Sequence, residues 1–185
     1  MSRIGKKPIE IPEKVAVEIN AGAIKVKGPK GELNWGYPDG MKVSINGNVV
    51  SVERSGDTKS ERALHGLTRS IISNMVAGVS RGYQKVLDIV GVGYKAQVAG
   101  GKIMLTLGYS HPVEFQLPEG VKASVDPKQI QITLTGVDKQ QIGQVAASLK
   151  TLRLPDAYKG KGIKYSGELV HLKPGKAGRA IGKKQ

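Results

Sequence analysis

Apolar and polar residues alternate with a period of two along most of the chain. Val15, Val17 and Ile19 alternate with polar neighbours, as do Ile24/Val26, Val43/Ile45 and Val50/Val52. Farther on, the same pattern runs through Tyr94/Ala96/Val98, Ile103/Leu105/Leu107, Val113/Phe115/Leu117, Val121/Ala123/Val125 and Ile130/Ile132/Leu134. Such alternation predicts strands with one covered and one wet face. Gly28-Pro29, Pro38-Asp39-Gly40, Asn46-Gly47, Gly100-Gly101, Pro118-Glu119-Gly120 and Asp126-Pro127 mark the turns. Two stretches change to helical spacing. Leu64, Leu67, Ile71, Met75 and Val79 follow the capping box Thr58/Glu61, and Ile142, Val145, Ala146 and Leu149 follow Asp138/Gln141.

The pattern occurs twice. Displaced by 80 residues, Pro38-Asp39-Gly40-Met41-Lys42-Val43-Ser44-Ile45 falls on Pro118-Glu119-Gly120-Val121-Lys122-Ala123-Ser124-Val125. The same shift lays Gly28 on Gly108, Gly56 on Gly136, Val50/Val52 on Ile130/Ile132, and one helix cap on the other. A period of this length fits a duplicated small domain rather than a solenoid unit. The expected fold is α+β: two tandem domains, each an antiparallel sheet packed by one main helix. Expected boundaries are residues 1–82 and 83–152, with a basic tail over 153–185.

Charge alters this picture mainly at the tail. The 185 residues carry a net charge of +14, and half of it lies in residues 153–185, beside six glycines. That tail lacks the apolar density to order itself. The overall excess points to a polyanionic partner. Cysteine is absent, which excludes disulfides and thiolate chemistry, and no apolar run is long enough to span a membrane. The basic N-terminus has no apolar run behind it and does not read as a signal peptide.

No catalytic constellation stands out. Gly91-Val92-Gly93-Tyr94-Lys95-Ala96 has the outline of a dinucleotide-binding turn, but alternation after it predicts a strand where that motif needs a helix, and no acidic residue lies about 20 positions on. A glycine-rich bend, or a flat backbone surface open to phosphate beside Lys95, fits better. His65, His111 and His171 have no ligand spacing; His65 flanks the first helical stripe and is expected to be a surface or partly buried residue. The tail segment from Tyr158 to Tyr165 sets Lys159, Lys161 and Lys164 between two tyrosines with Gly160 and Gly162 as spacers. Lysine supplies charge to phosphate, tyrosine can stack on a base, and glycine permits close backbone approach, a combination suited to nucleic acid.

With the tail in view, the chain resembles the bacterial L6 family of large-subunit ribosomal proteins. The resemblance spans nearly the whole chain: Ser2-Arg3-Ile4-Gly5-Lys6-Lys7-Pro8-Ile9, His65-Gly66-Leu67-Thr68-Arg69, the Gly91–Ala96 motif, Leu107-Gly108-Tyr109-Ser110-His111-Pro112-Val113, and Tyr158-Lys159-Gly160-Lys161-Gly162-Ile163. It implies two duplicated domains and no enzymatic activity or cofactor. It also implies binding to large-subunit ribosomal RNA among neighbouring ribosomal proteins, in the cytoplasm, near the stalk base where translational GTPases dock. Neither a membrane nor a small-molecule substrate is implied. Carried onto this chain, the RNA-binding candidates are Gly91, Gly93, Tyr94, Lys95, Tyr109, Ser110, His111, Tyr158, Lys159, Gly160, Lys161, Gly162, Lys164 and Tyr165. Lys173, Lys176, Arg179, Lys183 and Lys184 join them. Arg3, Lys6, Lys7, His65 and Arg69 form a second set. Two other readings compete: an enzyme using the Gly91 bend for a nucleotide, and a free nucleic-acid-binding protein or RNA chaperone.

Overall fold

The computed structural model describes residues 5–20 and 22–176. Arg3, Arg179, Lys183 and Lys184 lie outside these described residues. The chain forms two compact units, residues 1–83 with 136–139, and residues 84–135 with 140–185.

In the first unit, β1 (Ile9–Glu10), β6 (Val49–Arg54) and β5 (Met41–Asn46) form one sheet in that order. β2 (Ala16–Asn20), β3 (Ala23–Gly28) and β4 (Gly31–Gly36) form another. Both are antiparallel. The long helix α1 (Lys59–Arg81) packs on them. Its core contacts are Ile72, Met75, Val76 and Val79 against Ile9, Ile11, Ile24, Val26, Val50 and Val52. Thr58 starts the helix as expected: its hydroxyl accepts the Glu61 N–H at 3.3 Å, and the Glu61 carboxylate accepts the Thr58 N–H at 3.0 Å. The buried face, however, is not centred on the expected stripe. Leu67 is 50% exposed and Leu64 and Ile71 are only half-buried, while His65, Thr68 and Ile72 face inward. The inward side is chosen by what the sheets offer: His65 Nε2 donates to the Val52 carbonyl at 2.8 Å. Periodicity alone carries no such information.

The second unit repeats this plan. β8 (Lys95–Ala99), β9 (Lys102–Thr106) and β10 (Val113–Gln116) match β2, β3 and β4 in order. β11 (Val121–Val125), β12 (Gln131–Gly136) and β7 (Tyr83–Val90) match β5, β6 and β1. Helix α2 (Lys139–Leu152) buries Ile142, Val145, Ala146 and Leu149. Its Gln141 amide donates to the Glu119 carbonyl at 2.9 Å. The duplication therefore holds at the level of topology, and residues 38–45 and 118–125 occupy the same turn and strand.

The ungapped shift does not hold throughout. Val50 and Val52 are buried in β6, and their counterparts by burial in β12 are Ile132 and Leu134; Ile130 is 44% exposed. The β11–β12 connection is longer than the Asn46–Val49 turn. An even displacement preserves the in/out parity of a strand, so the alternation still reads correctly.

The tail also differs from expectation. Residues 162–165 form β13 (Gly162–Tyr165), which pairs antiparallel with β7, Ile163 opposite Ile89. Ile163 is 0% exposed. The segment builds no core of its own; it gains order by adding a hydrogen-bonded strand and one buried side chain to an existing sheet.

Candidate nucleic-acid interface

Three segments distant in sequence meet at one end of the second unit. The first is the bend between β7 and β8. Gly91 has φ +157, and a Cβ there would fall 2.7 Å from the Tyr94 ring. The same ring passes Gly108, 3.1 Å from where its Cβ would be, which brings in the second segment, the β9–β10 turn. Tyr109 in that turn donates its hydroxyl to the Leu152 carbonyl at 2.9 Å, which brings in the third, the segment following α2. Because β8 follows the bend, no helix N-terminus faces Gly91, and the dinucleotide motif lacks its pyrophosphate site.

The third segment is a tight loop held by Asp156. Its Oδ2 accepts the N–H of Lys159 at 2.8 Å and of Tyr158 at 3.3 Å. Its backbone N–H donates to the Lys161 carbonyl and its carbonyl accepts the Gly160 N–H, both at 2.9 Å. These backbone donors, that of Lys159 first, hold the Asp156 carboxyl below the usual range. Ile163 N–H then donates to the Arg153 carbonyl at 2.8 Å, returning the chain to the sheet.

Arg153 completes the cluster, and sequence reasoning missed it. Its guanidinium lies 5.3 Å from the centre of the Tyr109 ring. The Tyr109 side chain first, and the Tyr94 phenol second, push its pKa upward. The only sequence signal was its contribution to the tail charge; its partners at positions 94 and 109 are tertiary neighbours. Lys128 was missed too. It is exposed in the β11–β12 loop, where Gln129 (φ +60) passes its carbonyl to the Ala96 N–H at 2.9 Å, next to Lys95.

Among the sequence candidates, Lys95, Gly93, Tyr109, Ser110, His111, Tyr158, Lys159, Lys173 and Lys176 are exposed, with Tyr158 at 60%. Tyr94, Gly91, Gly160 and Lys161 are half-buried beside them. Others serve the fold. Gly162 (φ +148) is buried, and a Cβ there would fall 2.5 Å from the Leu154 carbonyl oxygen, so the fold itself requires glycine at this position. Tyr165 has Lys150 at 4.7 Å and Lys85 at 5.6 Å from its ring centre, so its ring is already engaged. Lys150 is tied in turn to Glu168 at 2.6 Å, and Lys164 lies within the field of that carboxylate. In the first unit, His65 is 3% exposed, which corrects its expected surface or partly buried position. Nε2 is spent on Val52, and Nδ1 accepts from Arg54 at 3.3 Å, so neither ring nitrogen is left for RNA. Arg69 donates to the carbonyls of Lys7 and Pro8. Lys6 and Lys7 are exposed.

No group of His, Asp or Glu among the described residues could hold a metal ion, and no helix there is long and apolar enough to cross a membrane.

Comparison with known proteins agrees with the duplicated plan. The family model described as ribosomal protein L6 matches the chain twice, over residues 11–82 and 90–166. The chain belongs to the ribosomal protein L6 family. It is 58% identical to the large ribosomal subunit protein uL6 of Thermodesulfovibrio yellowstonii, covering 97% of this chain and 99% of that one. It is 54% identical to uL6 of Caldicellulosiruptor saccharolyticus over the full length of both, and 52% identical to uL6 of Syntrophomonas wolfei over 96% and 99%. The chain is accordingly a structural component of the ribosome and not an enzyme.

Proposed function

We propose that this L6-family chain binds large-subunit ribosomal RNA through the end of the second unit where the Gly91 bend, the Tyr109 turn and the Asp156 loop converge. The convergence of Lys95, Lys128, Arg153 and Lys159 with two tyrosines there is the observation that supports it. The exposed cations neutralise phosphates and release counterions; the exposed Tyr158 ring stacks on a base. Lys173 and Lys176 extend the basic surface along the tail, and the charges of Arg179, Lys183 and Lys184, outside the described residues, add to the RNA-binding set. The site lies near the stalk base, beside neighbouring ribosomal proteins and within reach of docked translational GTPases, in the cytoplasmic ribosome.

The test is binding to large-subunit RNA across a salt series. Each lost phosphate contact flattens the slope of log affinity against log salt by about 0.7–0.9. Replacing Arg153, Lys159 and Lys161 together by glutamine flattens it by roughly two to three units. Tyr158→Ala lowers affinity by ~1–3 kcal/mol and leaves the slope alone, because stacking is not ionic. A triple variant with the wild-type slope would place the contact elsewhere.

A further inference from the structure

We infer that residues 136–139, supplied by the second repeat at the junction of β12 and α2, form a strap that closes the first unit, so that this unit is complete only when the second half of the chain is in place. The inference is independent of the RNA interface and uses none of its residues. These four residues belong to the first unit, whereas the rest of β12 and of α2 belongs to the second.

The strap runs along one face of α1, antiparallel to it. Lys139 Nζ donates to the Asn74 side-chain oxygen at 3.2 Å. Four residues farther along the helix, a Cβ on Gly78 would overlap the Val137 carbonyl oxygen. Four farther again, a Cβ on the capping Gly82 would lie 3.5 Å from the Gly136 carbonyl oxygen. Positions four apart share a helix face, so the three contacts are in register. Glycine at 78 lets backbone meet backbone there. Tyr83 fixes the Lys139 end: its hydroxyl donates to the Asn74 carbonyl at 3.1 Å, and its ring centre lies 5.9 Å from Lys139 Nζ.

Val137 supplies the apolar part. It packs against the core of the first unit, with Cγ2 3.3 Å from a Cβ built on Gly31 at the start of β4. Beside it the Lys30 N–H donates to the Val79 carbonyl at 3.0 Å, tying the β3–β4 turn to the end of α1. The valine therefore sits where helix and hairpin meet. The repeat itself does not demand this arrangement. Displaced by 80 residues, the strap falls on residues 56–59, and Gly56 there lies against the Glu61 carboxylate of its own helix cap. The first linker serves its own helix; the second serves the other unit. Chains are made from the N-terminus, so α1 is synthesised well before the segment that covers its Gly78 face.

The experiment is amide exchange on the full-length chain. Val137→Ala is expected to lower protection about tenfold in the last two turns of α1 and in β3 and β4, and to leave β8 and β9 unchanged. Loss confined to β12 and α2 would make residues 136–139 an ordinary linker of the second unit and overturn the inference. Gly78→Ala disturbs the same contact from the first unit and is expected to give the same pattern. Its control is Gly143→Ala in α2, where a Cβ meets nothing within 4 Å, and which is expected to keep the wild-type pattern in α1. If Gly78→Ala does not fold, the milder Val137→Ala decides. Leu134→Val, in the buried face of β12, tests the dependence on the second half. It is expected to speed exchange in the second unit and, through the strap, at residues 78–82 as well. Unchanged exchange at residues 78–82 would show that the first unit stays closed without the second, and the inference would fall.

Discussion

Asp156 is one of two acids in residues 153–185, and it points its carboxylate at its own loop rather than at a neighbouring cation. The backbone donors of Lys159 and Tyr158 satisfy it, and this is why its pKa falls. The result is a fixed turn that leaves the Lys159 side chain outward. A carboxyl with a lowered folded-state pKa contributes stability that is complete above its ordinary value, near 3.8, and is lost as the pH drops through the lowered one. The protection of the Lys159 and Tyr158 amides, relative to their intrinsic exchange rates, should therefore be high at neutral pH and fall in acid. Asp156→Ala should remove that protection at neutral pH, and the difference from wild type should shrink as the pH drops through the lowered pKa. Asp156→Asn, which keeps a side-chain oxygen acceptor, should restore most of the protection. Equal protection in Asp156→Ala and wild type would show that the side chain does not hold the loop.

The element that matters most to the interface is β13, and its first residue decides whether it can form. Gly162 passes so near the Leu154 and Arg153 carbonyl oxygens, 2.5 and 2.8 Å from a would-be Cβ, that no side chain fits, and its φ of +148 favours glycine besides. Gly162→Ala should destabilise the protein by roughly 1–3 kcal/mol, measured as a lowered urea midpoint. Because the clash is with the carbonyl that receives Ile163, the lost amide protection should centre on β13 and the facing residues of β7. An alanine variant with an unchanged midpoint would mean that the strand shifts freely, and that the anchoring described for the tail is wrong.

For the whole molecule, the two units share a topology but not a set of surface chemistries. The second gathers glycines, tyrosines and cations at one end; the first keeps its histidine inside and spreads its cations over strands and helix, several of them in ion pairs. Duplication conserved the burial pattern that folds each unit and left the loops to diverge, as the longer β11–β12 connection illustrates. A chain that acts as a resident of the ribosome should co-sediment with large subunits at moderate salt. A free RNA chaperone with the same charge would be released under those conditions. Recovery of the protein wholly in the supernatant would count against residence.

The sequence by itself determined the α+β class, the duplication, the helix start at Thr58 and the family. Each depends on local signals: period-two alternation, a capping box four residues long, motifs in order. It also located the glycine- and tyrosine-rich segments of the interface. Tertiary structure alone decided which side of α1 faces the core, because a helix has many possible inward faces and the sheets select one. Only it buried His65 against Val52, gave Tyr165 to Lys150 and Lys85, and joined Arg153 to Tyr109 and Tyr94. Those pairs are separated by 13 to 80 residues, and no local period encodes them. It decided the tail as well. Four residues with one buried isoleucine cannot order alone, yet they can when β7 supplies the hydrogen bonds.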